Sequence, residues 1–268
     1  MEENIKIIDK RTEKEIVHES ACACGSGGCG CHDHGHQHSQ IHSLTDLPIR
    51  FQILRQGDRV VEFGSGTGND CFAVAQLIGP EGKVVGIDIS EKNINSSRDY
   101  LDQLRINNAE FRHGDIQNVP LRNEYADVVI ANCVFSLQDN RQKVADEMYR
   151  IANHNGFACV SDFVLIKDIP SGLRHDGAEL AGCIAGAENI NDFIDYFRRT
   201  GFINVEIVEM NKVQLPDDIL REHLNEDLVV KYKDINSDEG IFAITLIAEK
   251  PAECSAETCC CNPEKNKN

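Results

Sequence analysis

Three glycines at alternate positions occur in the run Glu62-Phe63-Gly64-Ser65-Gly66-Thr67-Gly68, followed by the apolar, helix-like stretch 69–78. Glycine there removes three side chains and allows backbone dihedrals closed to other residues, so a ligand can come up against the main chain. The spacing lacks the late third glycine of the dinucleotide fingerprint. Asp88 ends the next strand-like run, Lys83-Val84-Val85-Gly86-Ile87-Asp88. A carboxylate at such a strand end can accept from both hydroxyls of a ribose. These residues point to a nucleoside-sized ligand, with Ile89 beside it. A further acidic position follows in Gly114-Asp115-Ile116.

Thiols are the second source of chemistry. The chain has 12 cysteines: Cys22, Cys24, Cys29 and Cys31 near the start, Cys254, Cys259, Cys260 and Cys261 near the end, and Cys71, Cys133, Cys159 and Cys183 between. In a reducing compartment such thiols are metal ligands or reactive groups more often than disulfides, and soft sulfur prefers thiophilic ions. Residues 21–42 also carry three His-x-His pairs and too little apolar bulk to pack, which predicts a metal-binding or thiol-exchanging arm. Its Cys-x-Cys pairs are closer than the spacing of structural zinc modules. Cys71 falls in the first turn of a helix, where the dipole would lower a thiol pKa, but packing against a sheet is the reading preferred for a small apolar side chain.

The elements that must position these groups alternate between strand and helix. Strand-like runs at 59–63, 83–88, 109–113, 126–133 and 157–162 are separated by helical patterns at 69–78, 91–104, with Ser90 as N-cap, and 139–153. The run 126–133 is almost continuously apolar, as a central parallel strand should be. Its carboxyl end carries Asn132 and Cys133 into the crevice where open α/β sheets bind ligands. Further strands are expected at 204–209 and 241–248, around a helix at 192–200. The expected organisation is an N-terminal Cys/His-rich arm (1–43), a nucleoside-binding core (44–165), an insertion with the last strands of the same domain (166–250) and a Cys-rich tail (251–268).

Composition narrows the function. The 268 residues are 41% apolar, and 44 acidic against 27 basic residues give a net charge of −17. That field repels phosphate backbones and anionic head groups, so neither nucleic acid nor membrane is expected as a partner. No run approaches the roughly 20 apolar residues of a membrane span, and the first residues lack a signal-peptide layout. A cytoplasmic location is expected.

Glu62, the glycine turn, Asp88 and Asp115 in this order resemble the class I S-adenosylmethionine-dependent methyltransferases. The resemblance implies an α/β fold, a seven-stranded, mostly parallel, doubly wound Rossmann-like sheet whose last strand is inserted antiparallel. It also implies a cofactor site drawn from Glu62, Gly64, Ser65, Gly66, Thr67, Gly68, Asp88, Ile89, Asp115, Ile116, Asn132 and Cys133. Asn132-Cys133-Val134-Phe135-Ser136-Leu137 and Ala181-Gly182-Cys183-Ile184-Ala185-Gly186-Ala187 narrow the likeness: over about 58–209 the chain resembles the arsenite methyltransferases. That resemblance implies a small inorganic or organic arsenical as substrate and Cys183 as an arsenic ligand. Cys22 and Cys24 are the candidates to complete the site.

Two departures qualify the ligand set. Ile203 and Asn204 stand where similar proteins carry a thiol after Gly201-Phe202, and Leu47-Pro48-Ile49-Arg50 replaces a Tyr-Tyr-Gly-Cys-like segment. The tails are then the expected source of further thiols, a tether holding them at about millimolar local concentration. Thiol-held trivalent arsenic keeps a lone pair that can attack a sulfonium methyl directly. No general base is needed, and His113, His154 and His175 are read as ordinary surface or supporting residues. Electrons returned to arsenic imply a reduced thiol as co-reductant, of glutathione or thioredoxin type. Two alternatives remain open at this point: a carbon- or oxygen-methylating enzyme for small molecules, and a thiophilic-metal carrier built on a degenerate methyltransferase domain.

Overall fold

The computed structural model describes residues 53–173 and 182–253. The N-terminal arm and the four cysteines of the tail lie outside them, so Cys22 and Cys24 are not placed. The described strands are β1 (Arg59–Phe63), β2 (Lys83–Asp88), β3 (Ala109–His113), β4 (Ala126–Asn132), β5 (Ala152–Leu165), β6 (Glu188–Asn189), β7 (Ile203–Lys212) and β8 (Ile241–Glu249). Helices α1 (Asn69–Ile78), α2 (Glu91–Leu104), α3 (Arg141–Ile151), α4 (Ile190–Thr200), α5 (Asp217–His223) and α6 (Glu226–Lys233) connect them, with a 3₁₀ turn at Gly182–Gly186.

The strand order is β3-β2-β1-β4-β5-β8-β7. β1 to β5 run parallel, whereas β8 lies antiparallel between β5 and β7. This is the expected seven-stranded sheet. An eighth strand, the two-residue β6, pairs with the end of β5 off the main path. Two residues are too few to carry a period in the sequence, which is why it was not foreseen.

Alternation along the strands sorts the core into two layers. Val60, Val84, Val128 and Ile130 bury against Cys71, Val74 and Ile78 of α1 and Ile94 of α2. Val61, Val85, Val129 and Ala131 face Val144 and Met148 of α3 and Phe193 and Phe197 of α4. A third cluster lies beyond the parallel sheet, where β5 runs on past β4 with only β8 and the short β6 as strand neighbours. There Phe163, Leu165, Ile241 and Ala243 pack with Leu220 of α5, Tyr232 of α6 and Cys183 of the 3₁₀ turn.

Helix ends follow their local chemistry. Ser90 Oγ accepts from the Asn93 N–H, as an N-cap should, and Gly201 closes α4 at φ +109°. Asn155 and Gly156 lie within β5 as a bulge. Ala126 of β4 pairs with Ala152 and Val128 with Phe157, and Asn155 sits at φ +60° between them.

Candidate functional site

The glycine turn is fastened to the carboxyl end of β2: Gly64 and Ser65 N–H groups donate to Ile87 O at 2.8 and 3.0 Å. The glycines play different parts. A Cβ on Gly64 would lie 2.6 Å from Val134 Cγ2, and one on Gly68 2.5 Å from Phe111 Cζ, so these two glycines let the turn pack. Gly66, at φ +54°, has nothing within 4 Å of its Cβ position among the described residues, and it is there that the turn opens.

Asp88 stands against this opening, 8% exposed. Its Oδ2 accepts from Gly66 N–H at 2.8 Å, and its Oδ1 accepts from Ser90 N–H at 2.8 Å and Asn93 Nδ2 at 3.3 Å. Three donors fix the plane of the carboxylate, and each oxygen keeps acceptor capacity for a ligand hydroxyl. Ile89 follows, 72% exposed, an apolar surface at the end of β2. Asp115 is exposed, its Oδ1 accepting from Gln117 N–H, while Ile116 is buried in the core.

Two buried polar atoms at the turn have no hydrogen-bond partner among the described residues, Ser65 Oγ and Asn132 Oδ1. Asn132 Nδ2 donates to Asp70 Oδ2 at 3.2 Å, which orients the amide. Orphaned buried acceptors and donors are costly, about 1–3 kcal/mol each, unless a ligand completes them. Thr67 is half-buried in the same turn. Glu62 is buried, and its Oε2 accepts from the Cys71 thiol at 2.8 Å. Burial, and then the negative Glu62, push the Cys71 thiol well above its ordinary value, so the helix dipole loses to desolvation and the packing reading of Cys71 stands.

On the neighbouring side, β4 ends at Asn132 and the chain turns at Cys133, φ +50°, whose N–H donates to Ser161 O. Phe135 anchors this loop, fully buried with its ring 5.2 Å from Phe193 and 5.4 Å from Phe197. Such pairs contribute roughly 0.5–1.5 kcal/mol beyond area burial. Asp162, wholly buried, accepts from Ser136 N–H at 2.9 Å and Ser136 Oγ at 2.6 Å. Cys183 is 7% exposed in the third apolar cluster, and Cys133, half-buried, packs against that same cluster. The sequence reading gave Cys133 to the cofactor and missed this juxtaposition. It also missed Asp70 and Asp162, whose partners are 62 and 26 residues away. Among the described residues no three His, Cys, Asp or Glu side chains gather as a metal site.

A family described as a methyltransferase domain matches residues 54–212. This chain belongs to it. Among curated proteins, the arsenite methyltransferase of Halobacterium salinarum is 34% identical over 207 residues, which are 76% of this chain and 50% of that protein. That of Aquipseudomonas alcaligenes is 32% identical over 180 residues, 65% of this chain and 52% of its own. The chain therefore spans about half the length of the curated relatives it matches. Among solved structures, an arsenic(III) S-adenosylmethionine methyltransferase from Chlamydomonas reinhardtii superimposes with a TM-score of 0.60 at 24% identity, covering 78% of this chain and 72% of that one. This likeness establishes the methyltransferase fold. No described helix is long and apolar enough to cross a membrane.

Proposed function

We propose that this methyltransferase binds S-adenosylmethionine at the glycine turn and methylates trivalent arsenic held by thiols, in the cytoplasm, with a reduced thiol of glutathione or thioredoxin type as co-reductant. One observation carries the reading: Cys133, at the end of β4 beside the turn, and Cys183, from a different part of the chain, meet at one apolar cluster. A carbon- or oxygen-methylating enzyme has no need of that convergence. Curated arsenite methyltransferases among the relatives support it.

The donor fits the residues present. Gly66 leaves room for it, Asp88 would take the ribose hydroxyls, and Ile89 would cover the adenine, with Asp115 near its amino group. Ser65 Oγ and Asn132 Oδ1 would find partners in its polar end. When bound, it supplies an electrophilic methyl on a sulfonium, which the lone pair of thiol-held arsenic can accept.

The chain's own residues then orient and exclude. The Cys133 and Cys183 sulfurs hold the arsenical, and the cluster of Phe163, Leu165, Leu220 and Ile241 keeps water away. Orientation to within about 3–3.5 Å and desolvation are the main sources of rate in such a transfer. No proton moves, and the described histidines are otherwise engaged: His113 Nε2 lies 2.9 Å from Ile89 O, and His154 pairs with Pro251 O and Glu124. A third arsenic ligand comes from outside the described residues, and Cys22 and Cys24 of the arm are proposed for it.

The test is formation of S-adenosylhomocysteine with and without arsenite in excess glutathione. Arsenite should be required, and Cys133→Ser and Cys183→Ser should each remove the arsenite-dependent turnover while cofactor binding persists. Turnover indifferent to arsenite, or to both substitutions, overturns the reading.

A further inference from the structure

Cys133 and Cys183 are borne on two segments that touch, and one side chain joins them. Arg141, at the first position of α3, donates from a single Nη2 to Ser136 O and to Gly186 O, both at 2.7 Å. Its Nη1 pairs with Glu188 Oε2 at 2.9 Å, and that same oxygen accepts from Tyr196 O–H at 3.1 Å. Each thiol lies three residues before one of the bridged carbonyls, Cys133 before Ser136 and Cys183 before Gly186. The contact is close enough that a Cβ on Gly186 would fall 2.0 Å from Ser136 O. Beneath the loop, Asp162 holds Ser136 through both its N–H and its hydroxyl.

We infer that Arg141 is the positioning residue of the arsenic site, its guanidinium setting the separation of the two thiol-bearing segments. This rests on the proposed arsenic site. A planar guanidinium presents several donors in a fixed fork, so one group can hold two carbonyls and a carboxylate at defined angles. Lysine offers a point charge on a flexible stem and cannot reproduce that fork. The guanidinium's hydrogen bonds and ion pair go to Ser136, Gly186 and Glu188, so its loss should reach the acceptor thiols and spare the cofactor.

The experiment uses the full-length chain with the eight tail cysteines, Cys22, Cys24, Cys29, Cys31, Cys254, Cys259, Cys260 and Cys261, replaced by serine. Phenylarsine oxide is the probe, because a monosubstituted trivalent arsenical is captured by two thiols together. Its affinity and that of S-adenosylmethionine are measured by titration below the melting transition of every variant. Arg141→Lys should bind the arsenical about ten-fold more weakly or worse, the scale of a lost hydrogen bond to a charged group, with cofactor affinity unchanged. Gly186→Ala, whose Cβ would meet Ser136 O at 2.0 Å and Arg141 Nη2 at 3.1 Å and so forces the bridged segments apart, should do the same and serves if Arg141→Lys does not fold. Arsenical affinity equal to that of the parent in the folded variants overturns the inference, as does a parallel fall in both affinities, which would mark a general structural role. A parent that fails to capture the probe removes the arsenic reading itself, and the positioning role with it.

Discussion

Asp88 and Cys71 illustrate how residues of ordinary type acquire their parts here. Asp88 is held by three donors with its carboxylate against the open side of the glycine turn. Asp88→Ala would remove both of the proposed ribose contacts, and titration calorimetry should show S-adenosylmethionine bound about 30-fold more weakly or worse, in line with roughly 2 kcal/mol for hydrogen bonds to a charged group. Cys71 is the opposite case, a thiol at a helix start that is kept neutral. Iodoacetamide at pH 8 should leave Cys71 unmodified in the folded chain and label it in denaturant, with half-buried Cys133 labelled before it. Because burial raises its folded pKa, the neutral thiol contributes stability that is fully present below the ordinary thiol range and is lost as pH rises through the raised value. The stability difference between the parent and Cys71→Ala should therefore shrink above about pH 9 in alkaline denaturant titrations. Sequence placed both residues and preferred packing for Cys71, and the folded sheet supplies the reason: burial beside Glu62 outweighs the helix dipole.

Single elements were legible where one short-range signal determined them. Short apolar runs marked the seven long strands, Ser90 the start of α2, and Gly201 the end of α4. The glycine turn was legible as a turn, but not the division of labour within it, since the groups that most crowd Gly64 and Gly68 come from Val134 and Phe111, far along the chain. That division predicts two phenotypes. Gly68→Ala should lower stability in urea by about 1–3 kcal/mol beyond the strain of a left-handed residue, through overpacking on Phe111. Gly66→Ala meets no atom of the described residues within 4 Å, so it should cost only the strain, about 1–2 kcal/mol, while cofactor affinity falls sharply. Equal stability losses with equal cofactor binding would show that both glycines serve packing alone. The Asp162 to Ser136 bonds and the Arg141 bridge were invisible for the same reason: partners 26 and 45 residues apart leave no periodic trace.

At the scale of the whole molecule, the sheet brings a nucleoside-type turn and two thiols from distant segments to one edge. In the proposed site the described residues supply two sulfurs, Cys133 and Cys183 of one apolar cluster, and Cys22 and Cys24 of the arm are proposed to complete it. Replacing Cys22 and Cys24 together by serine should raise the KM for arsenite about ten-fold while the KM for S-adenosylmethionine stays within about two-fold, the loss expected when a tethered ligand at millimolar effective concentration is removed. An unchanged arsenite KM would assign the third position to the soluble thiol instead. The central claim, that a methyl group passes to arsenic, is tested most directly by tracing it. S-adenosylmethionine labelled in its methyl group is incubated with the full chain, arsenite and excess glutathione, and the products are separated by chromatography with arsenic detection. Label should appear in methylated arsenic, with at least one S-adenosylhomocysteine formed per methylated arsenic atom. Cofactor consumed with the label in any other acceptor, or bound cofactor with no label moved, would contradict it.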